Sequence, residues 1–340
     1  MSETGLVYDA RFLLHRPPHE HPEHPGRLAA IWEGICAAGL DRRCQAVAAR
    51  EATVAELCAV HEEALVHRIL HTAGGGDQWL DGDTYVCGDS AAAAQLAAGG
   101  LVDLTLAVWR GTLDNGLALL RPPGHHAEYR RSMGFCLFNN TAVAAHAARS
   151  AGAERVVVLD WDLHHGNGTQ DIFWEDPSVL YVSTHQHPLY PGTGLLGEVG
   201  EGDGAGYTVN LPLPGGLTDV DYLALFDRVI LPIVRAFDPS LILVSAGFDA
   251  SLGDPLGQMR VTPAGFAQLT HRLQEVHSGK VVLALEGGYN LGAISASTQA
   301  CLRVLLGEAP PPLAAGTVGS VTHRIIEQSL ELHRRFWPGI

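Results

Sequence analysis

The stretch VVVLDWDLHHGNGTQ, residues 156–170, passes from a β-branched apolar run straight into two aspartates, two histidines and a glycine turn. A strand apolar on both faces belongs in a parallel sheet covered on both sides. Polar residues at its exit stand where open α/β sheets bind ligands, outside the carboxyl ends of the strands. Asp, Asn and Gly alone would make only a turn. Two successive histidines ask for more, and the rest of the chain supplies it.

Working outward, short apolar runs at 5–8, 116–120, 155–159, 179–183, 241–245 and 281–285 read as strands. Segments of helical period at 27–38, 90–109, 140–151, 220–237, 263–276 and 295–306 separate them. This alternation predicts an α/β fold, a mainly parallel β-sheet with helices on both faces. There is no internal repeat, and the proline run at 310–312 precedes a last helix at 321–336. One domain over 1–340 is expected, its core at about residues 8–306 and its helical extension, 313–340, docked on that core.

Composition narrows the function classes. With 340 residues, 46% hydrophobic and 17% charged, the chain can bury a large core. A formal charge of -15 argues against nucleic acid or an anionic membrane as partner. Six cysteines without a C-x-x-C pair predict neither a disulfide framework nor a cysteine zinc site, and point to a reducing compartment. The N-terminal residues have no basic and apolar leader pattern, and no apolar run is expected to reach the roughly 20 residues of a spanning helix. A cytoplasmic location is the resulting expectation; the oligomeric state is left open.

Four predicted strands run into unusual polar sequence: RPPGHHAEYRRSMGFCLFNN after Leu120, DWDLHHGNGTQ after Leu159, AGFDASLGDPLGQM after Ser245 and EGGYN after Leu285. If the extended conformation persists through Leu163, Asp162 and His164 leave the backbone on the same side. With Asp249 as third ligand they make a three-residue zinc site with one open corner. A two-manganese cluster needs further bridging acids, and Gly166 follows His165, so zinc, or Fe(II) in its place, is preferred. His125 and His126, on a Pro-Gly turn, suit proton transfer, with Asp160 and Asn167 as partners that tune the two rings apart. Tyr289, after Gly287 and Gly288, suits a hydrogen bond to a developing oxyanion.

Together RPPGHHA, GFCLFNN, DWDLHHGNGTQ, SAGFDASLGDPLG and LEGGYN resemble, in order, the motifs of the zinc-dependent histone deacetylase and acetylpolyamine amidohydrolase superfamily. The resemblance runs from about Tyr8 through Leu306 and implies an arginase/deacetylase-type fold and hydrolysis of an N-acetyl amide to acetate and an amine. It implies Asp162, His164 and Asp249 as zinc ligands, His126 as general base with His125 as its acid or electrostatic partner, and Tyr289 as the transition-state tyrosine. It also implies structural potassium, at Asp160, Asp162, His164, Ser183 and Thr184 and again at Phe173, Asp176, Val179 and Tyr207. Phe135 and Tyr190 match the walls that clamp an acyl-lysine chain, beside Gly134; Tyr190 stands where members often carry phenylalanine. Asp83 corresponds to the rim group that binds the substrate backbone, and Arg27 to the arginine lining an acetate exit, against a reading as a surface helix charge. Asn167, HPEHPGRL and the retained Tyr289 resemble class II. Leu256 stands where polyamine-selective members place an acid, so acetyl-lysine in a peptide or protein is the first expected substrate, ahead of small acetylated amines. A silent acyl-lysine-binding module and an arginase-like ureohydrolase are the remaining alternatives.

Overall fold

The computed structural model describes residues 3–276 and 280–340. Its strands are β1 (Thr4–Val7), β2 (Gln45–Val47), a short hairpin of β3 (Gln78–Trp79) and β4 (Tyr85–Val86), then β5 (Asn115–Ala118), β6 (Val156–Asp160), β7 (Val179–Gln186), β8 (Thr208–Leu213), β9 (Leu241–Ala246) and β10 (Val281–Leu285). Eight of them form one sheet in the order β2-β1-β5-β10-β9-β6-β7-β8, with every pair parallel. The sheet is therefore wholly rather than mainly parallel. All residues of β6, β7, β9 and β10 are buried, as double-sided cover by helices requires. Helices Ser90–Trp109 and Asn140–Ser150 pack on each other and on the sheet, and Gly26–Ala37, Leu291–Leu305 and Pro263–Val276 pack in series.

This strand order explains the convergence of the polar exits. β5, β10, β9 and β6 are four consecutive strands at the middle of the sheet. Neighbouring strands lie about 4.8 Å apart, so their carboxyl ends fall within about 15 Å of one another. Motifs separated by up to some 165 residues in sequence thus meet at one edge of the sheet, where the chain order reverses about β5 and β10.

Several expectations need correction. β8 interrupts its apolar run with Asn210 and Pro212, tolerable because β8 is an edge strand. β2, three residues on the opposite edge and largely exposed, gives no apolar signal at all. The helix expected at 220–237 is three segments, Asp219–Leu225, a π-helical turn at Phe226–Ile230, and Leu231–Phe237. The wide turn ends just before Pro232, which has no N–H to donate. Helix Leu291–Leu305 starts earlier than expected because the Asn290 side chain caps it, accepting from Ala293 N at 3.1 Å. Ser90–Trp109 is, contrary to the sequence-based expectation, long and apolar enough to cross a membrane by length and composition. Most of its residues are buried in this fold, so its apolar character serves the core. The last helix, Ser320–His333, docks through Thr322, which donates to Asp221 at 2.7 Å, and is followed by Trp337, whose ring meets Tyr207 at 5.3 Å.

Candidate active site

At the exit of β6 the strand does not continue through Leu163. The chain turns at Asp160: Asp162 N donates to Asp160 Oδ1 at 3.1 Å, and His164 N donates to Asp162 Oδ1 at 2.9 Å. Asp162 and His164 still converge, through that turn rather than through strand alternation. His164 Nδ1 lies 3.2 Å from Asp162 Oδ1 and 3.0 Å from Asp249 Oδ2. Ligand atoms of all three residues lie within 4.8 Å of one another, in the span that one metal ion needs. Leu163 N donates to Asp249 Oδ1 at 2.8 Å, and Gly287 N to Asp162 Oδ2 at 2.8 Å, so each carboxylate is aimed by backbone from another strand exit.

Charge in this cluster is frustrated until a cation joins it. Burial and the neighbouring Asp162 push the Asp249 carboxyl up to about 7. Burial would lower His164, yet hydrogen bonds to Asp162 and Asp249 outweigh it and lift its pKa to about 10. Two buried carboxylates facing one imidazole nitrogen demand a positive charge between them, proton or metal. Gly287 is required here by close approach: a Cβ would come within 2.3 Å of Asp249 Oδ2 and 2.6 Å of Asp162 Oδ2.

His125 and His126 sit on the turn after β5, their ring centroids 4.0 Å apart. His125 Nδ1 pairs with Asp160 Oδ2 at 3.0 Å and its Nε2 stands 3.9 Å from Asp162 Oδ1. Burial opposes charge on His125, but Asp162 and Asp160 override it and hold its pKa well above the ordinary value. His126 Nδ1 pairs with Asn167 Oδ1 at 2.7 Å, and burial, with His125 and His164 nearby, holds its pKa well below the ordinary value. One ring is thus kept cationic and its neighbour neutral. Gly134 lets this happen at close range, since a Cβ there would meet the His126 ring at 2.5 Å.

The segment from Glu286 to Tyr289 ties the parts together. Glu286 Oε2 accepts from Gly124 N at 2.6 Å and His125 N at 3.2 Å, fixing the histidine turn. Arg27, fully buried rather than a surface charge, donates to Glu286 O and to Gly288 O, and its guanidinium stands 4.8 Å from the Tyr289 ring centroid. Glu23 holds Arg27 and also pairs with Arg121, all three without exposure. Asp254 Oδ2 accepts from both Tyr289 N and Asn290 N, at 2.7 and 3.1 Å. A cavity of about 250 Å³ opens over these groups, lined by His125, His126, His164, Gly287 and Tyr289 at its floor and by Gly134, Phe135, Tyr190, Leu256 and Asp83 above. Burial raises the Tyr289 phenol well above its ordinary pKa, against the pull of Arg27, so the phenol keeps its proton.

The profile "Histone deacetylase domain" matches residues 21–305. The chain belongs to the histone deacetylase family. Arabidopsis thaliana histone deacetylase 15 is 47% identical over 350 residues, covering 100% of this chain and 63% of that protein. Homo sapiens histone deacetylase 7 is 39% identical over 376 residues, covering 98% of this chain and 40% of that protein. A crystal structure of the HDA15 HD domain superposes with a TM-score of 0.95 at 46% identity, covering 99% of this chain and 96% of that one. The chain spans about half the length of the curated relatives it matches.

Within this histone deacetylase fold, the residues proposed for potassium fall in two places. Asp160 and Ser183 are register partners on β6 and β7; the Ser183 hydroxyl meets His185 Nδ1 at 2.9 Å, and the Thr184 hydroxyl is buried without a hydrogen bond. Phe173, Asp176 and Val179 form one tight connection into β7, with Asp176 N donating to Phe173 O and Val179 N to Asp176 O, while Tyr207 O accepts from Tyr181 N. His165, the second histidine of the opening stretch, faces away from the cavity and bonds Thr193 and Gln170. Glu286, Asp254, Glu23, Arg121 and Glu128 carry the support of the site and were given no role by sequence reasoning. For Glu286, Asp254, Arg121 and Glu128 the signal is an acid or arginine in the polar stretch after an apolar strand, where burial demands a partner, whereas Glu23 stands in HPEHPGRL ahead of helix Gly26–Ala37 and carries no such mark.

Proposed function

We propose that this chain hydrolyses the N-acetyl amide of acetylated lysine side chains in peptides or proteins, giving acetate and a free amine. What carries the reading is the convergence of Asp162, His164 and Asp249 with two differently tuned histidines and a protonated tyrosine on one cavity. Zinc, for which the two carboxylates and one imidazole are a suitable three-ligand set, would supply Lewis acidity toward the amide carbonyl and the attacking water. Fe(II) suits the same donors. The chain's own groups then have defined tasks. His126 donates from Nδ1 to Asn167 and keeps Nε2 free to take a proton from the attacking water. His125, held cationic, offsets the negative charge that develops and can deliver a proton to the departing amine. Tyr289 donates its hydroxyl hydrogen to the carbonyl oxygen as that oxygen becomes anionic. Phe135 and Tyr190 flank the narrow approach and favour a long aliphatic stem.

Structural potassium at the two groups described above is part of the proposal, supported at the first by the orphaned Thr184 hydroxyl. A reducing compartment such as the cytoplasm is part of the same reading, which rests on the spacing of six cysteines without a C-x-x-C pair. The deciding experiment measures acetate release by one metal-assayed preparation from acetyl-lysine peptides, acetylspermidine, acetylputrescine and longer acyl-lysines. Peptide turnover abolished by chelator and restored by one equivalent of zinc is expected. Preference for the acetylated polyamines would move the substrate assignment, two manganese ions per chain would point to a ureohydrolase, and no release from any substrate would leave a binding module.

A further inference from the structure

A chain of hydrogen bonds leads away from His126 to a groove separate from the cavity that Tyr289 lines. His126 Nδ1 meets Asn167 Oδ1 at 2.7 Å, and Asn167 Nδ2 donates to Glu128 Oε1 at 2.7 Å. Asn167 is buried, while Glu128 is partly exposed along a groove of about 410 Å³ that also includes Gln170, Asp171, Trp174, Thr193 and Glu198. The contact matters because an asparagine amide has two faces of opposite polarity. It can accept from a ring N–H through Oδ1, or turn over and donate to a ring nitrogen through Nδ2. Those orientations select opposite tautomers of His126. With Oδ1 toward the ring, Nδ1 carries the hydrogen and Nε2 is a base; with Nδ2 toward the ring, the hydrogen moves to Nε2 and the base is lost.

We infer that Glu128 is a positioning residue that sets the tautomer of His126 through Asn167. A carboxylate is acceptor-only, so the Asn167 amide must turn its Nδ2 outward to Glu128 and its Oδ1 inward to the ring. The remaining contact of that Nδ2, to Met133 Sδ at 3.4 Å, is a weak acceptor and leaves the orientation to Glu128. Glu128 touches neither the cavity nor the three metal-site residues, and acts only through the amide.

This inference rests on the deacetylase reading, and its test separates the two. If the wild-type chain loaded with zinc releases no acetate, the activity reading fails; given an active wild type, only the variants bear on Glu128. Lysine at 128 is a pure donor and turns the amide the wrong way. Glu128→Lys should lower kcat by about tenfold to a hundredfold with KM nearly unchanged, the range seen for partners that orient a catalytic ring. Asn167→Asp is the second arm, because an aspartate accepts from His126 Nδ1 whatever stands at 128. In the wild-type background it places two carboxylates in contact and should lower kcat. In the Glu128→Lys background it should raise kcat, and because a Lys–Asp ion pair would by itself relieve the contact, the state of the ring decides between a positioning and a merely structural role. ¹⁵N shifts of the His126 ring provide a readout besides turnover: Nδ1–H in the wild type and in the double variant, Nε2–H in Glu128→Lys. An unchanged ring tautomer in Glu128→Lys, or Asn167→Asp lowering kcat equally in both backgrounds, overturns the inference.

Discussion

Supporting the floor of the cavity from beneath, Asp160, Asp162 and Asp249 have no exposure and Glu286 has 1%, whereas at the rim Tyr190 is 38% exposed and Asp83 and Leu256 stand on partly exposed loops. Each floor carboxylate accepts from a backbone N–H of its own or another strand exit: Asp162 N to Asp160, Gly287 N to Asp162, Leu163 N to Asp249, Gly124 N to Glu286. Rim side chains have no comparable lattice; Tyr190 is held by ring contacts at 5.1 Å to His126 and 6.3 Å to His164. Burying so many ionisable groups is tolerable only where each finds its partner, so the floor admits one arrangement. The rim is free to vary in shape without disturbing the chemistry beneath it.

Acid should break the enclosed part first. Behind the floor, burial lowers His15 to about 3 and His61 and His165 to about 4, against 6.5 in the unfolded chain. Below about 6.5 the unfolded chain therefore binds protons that the folded chain refuses. Their contribution to stability is complete above that pH and is lost progressively as pH falls toward 4 and, for His15, toward 3. At about 1.4 kcal/mol per pH unit per group, these three rings by themselves account for a loss of about 4 kcal/mol between pH 7.5 and 5.5, while His125, His164 and Asp249, held above their ordinary values, shift stability the opposite way over the same interval. NMR titration of the three rings in the folded chain measures it, and a ring that takes up its proton near pH 6.5 would contribute no such loss.

A smaller effect is expected from Tyr289→Phe, which leaves the floor's charge lattice intact and removes only the donor to the oxyanion. It should lower kcat by about 10²–10³ with KM within a few-fold, as for loss of one oxyanion donor. Turnover equal to the wild type would take the phenol out of the mechanism. Smallest is the rim: Leu256→Ala should raise KM about fivefold, roughly 1 kcal/mol of lost apolar contact, with kcat unaltered. A kcat loss as large as that of Tyr289→Phe would erase the distinction between floor and rim.

Most of the central sheet was legible because β6, β9 and β10 are short apolar runs that end in acids, histidines or glycines. β2 and β8 were not, because edge strands need not be apolar on both faces. The pairing of His125 with Asp160 and of His126 with Asn167 follows from chemistry once the exits of β5 and β6 are brought together. Glu286 and Asp254 lay within stretches singled out for other residues. Their role is to accept backbone N–H groups from distant segments, and the direction of an N–H across strands leaves no mark in the sequence.

The amino-acid sequence by itself determined which chemistry is available, because carboxylates, imidazoles and a phenol at strand exits have donor and acceptor properties that no fold alters. It also determined that a covered parallel sheet would form, since only burial on both faces accommodates such strands. The tertiary structure alone decided which of these groups meet and in what state of charge. Strand order put the exits of β5, β10, β9 and β6 side by side, and unequal partners made one of two adjacent histidines a cation and the other a base. Protonation depends on local burial and on charges a few ångströms away, and those distances exist only once the chain has folded.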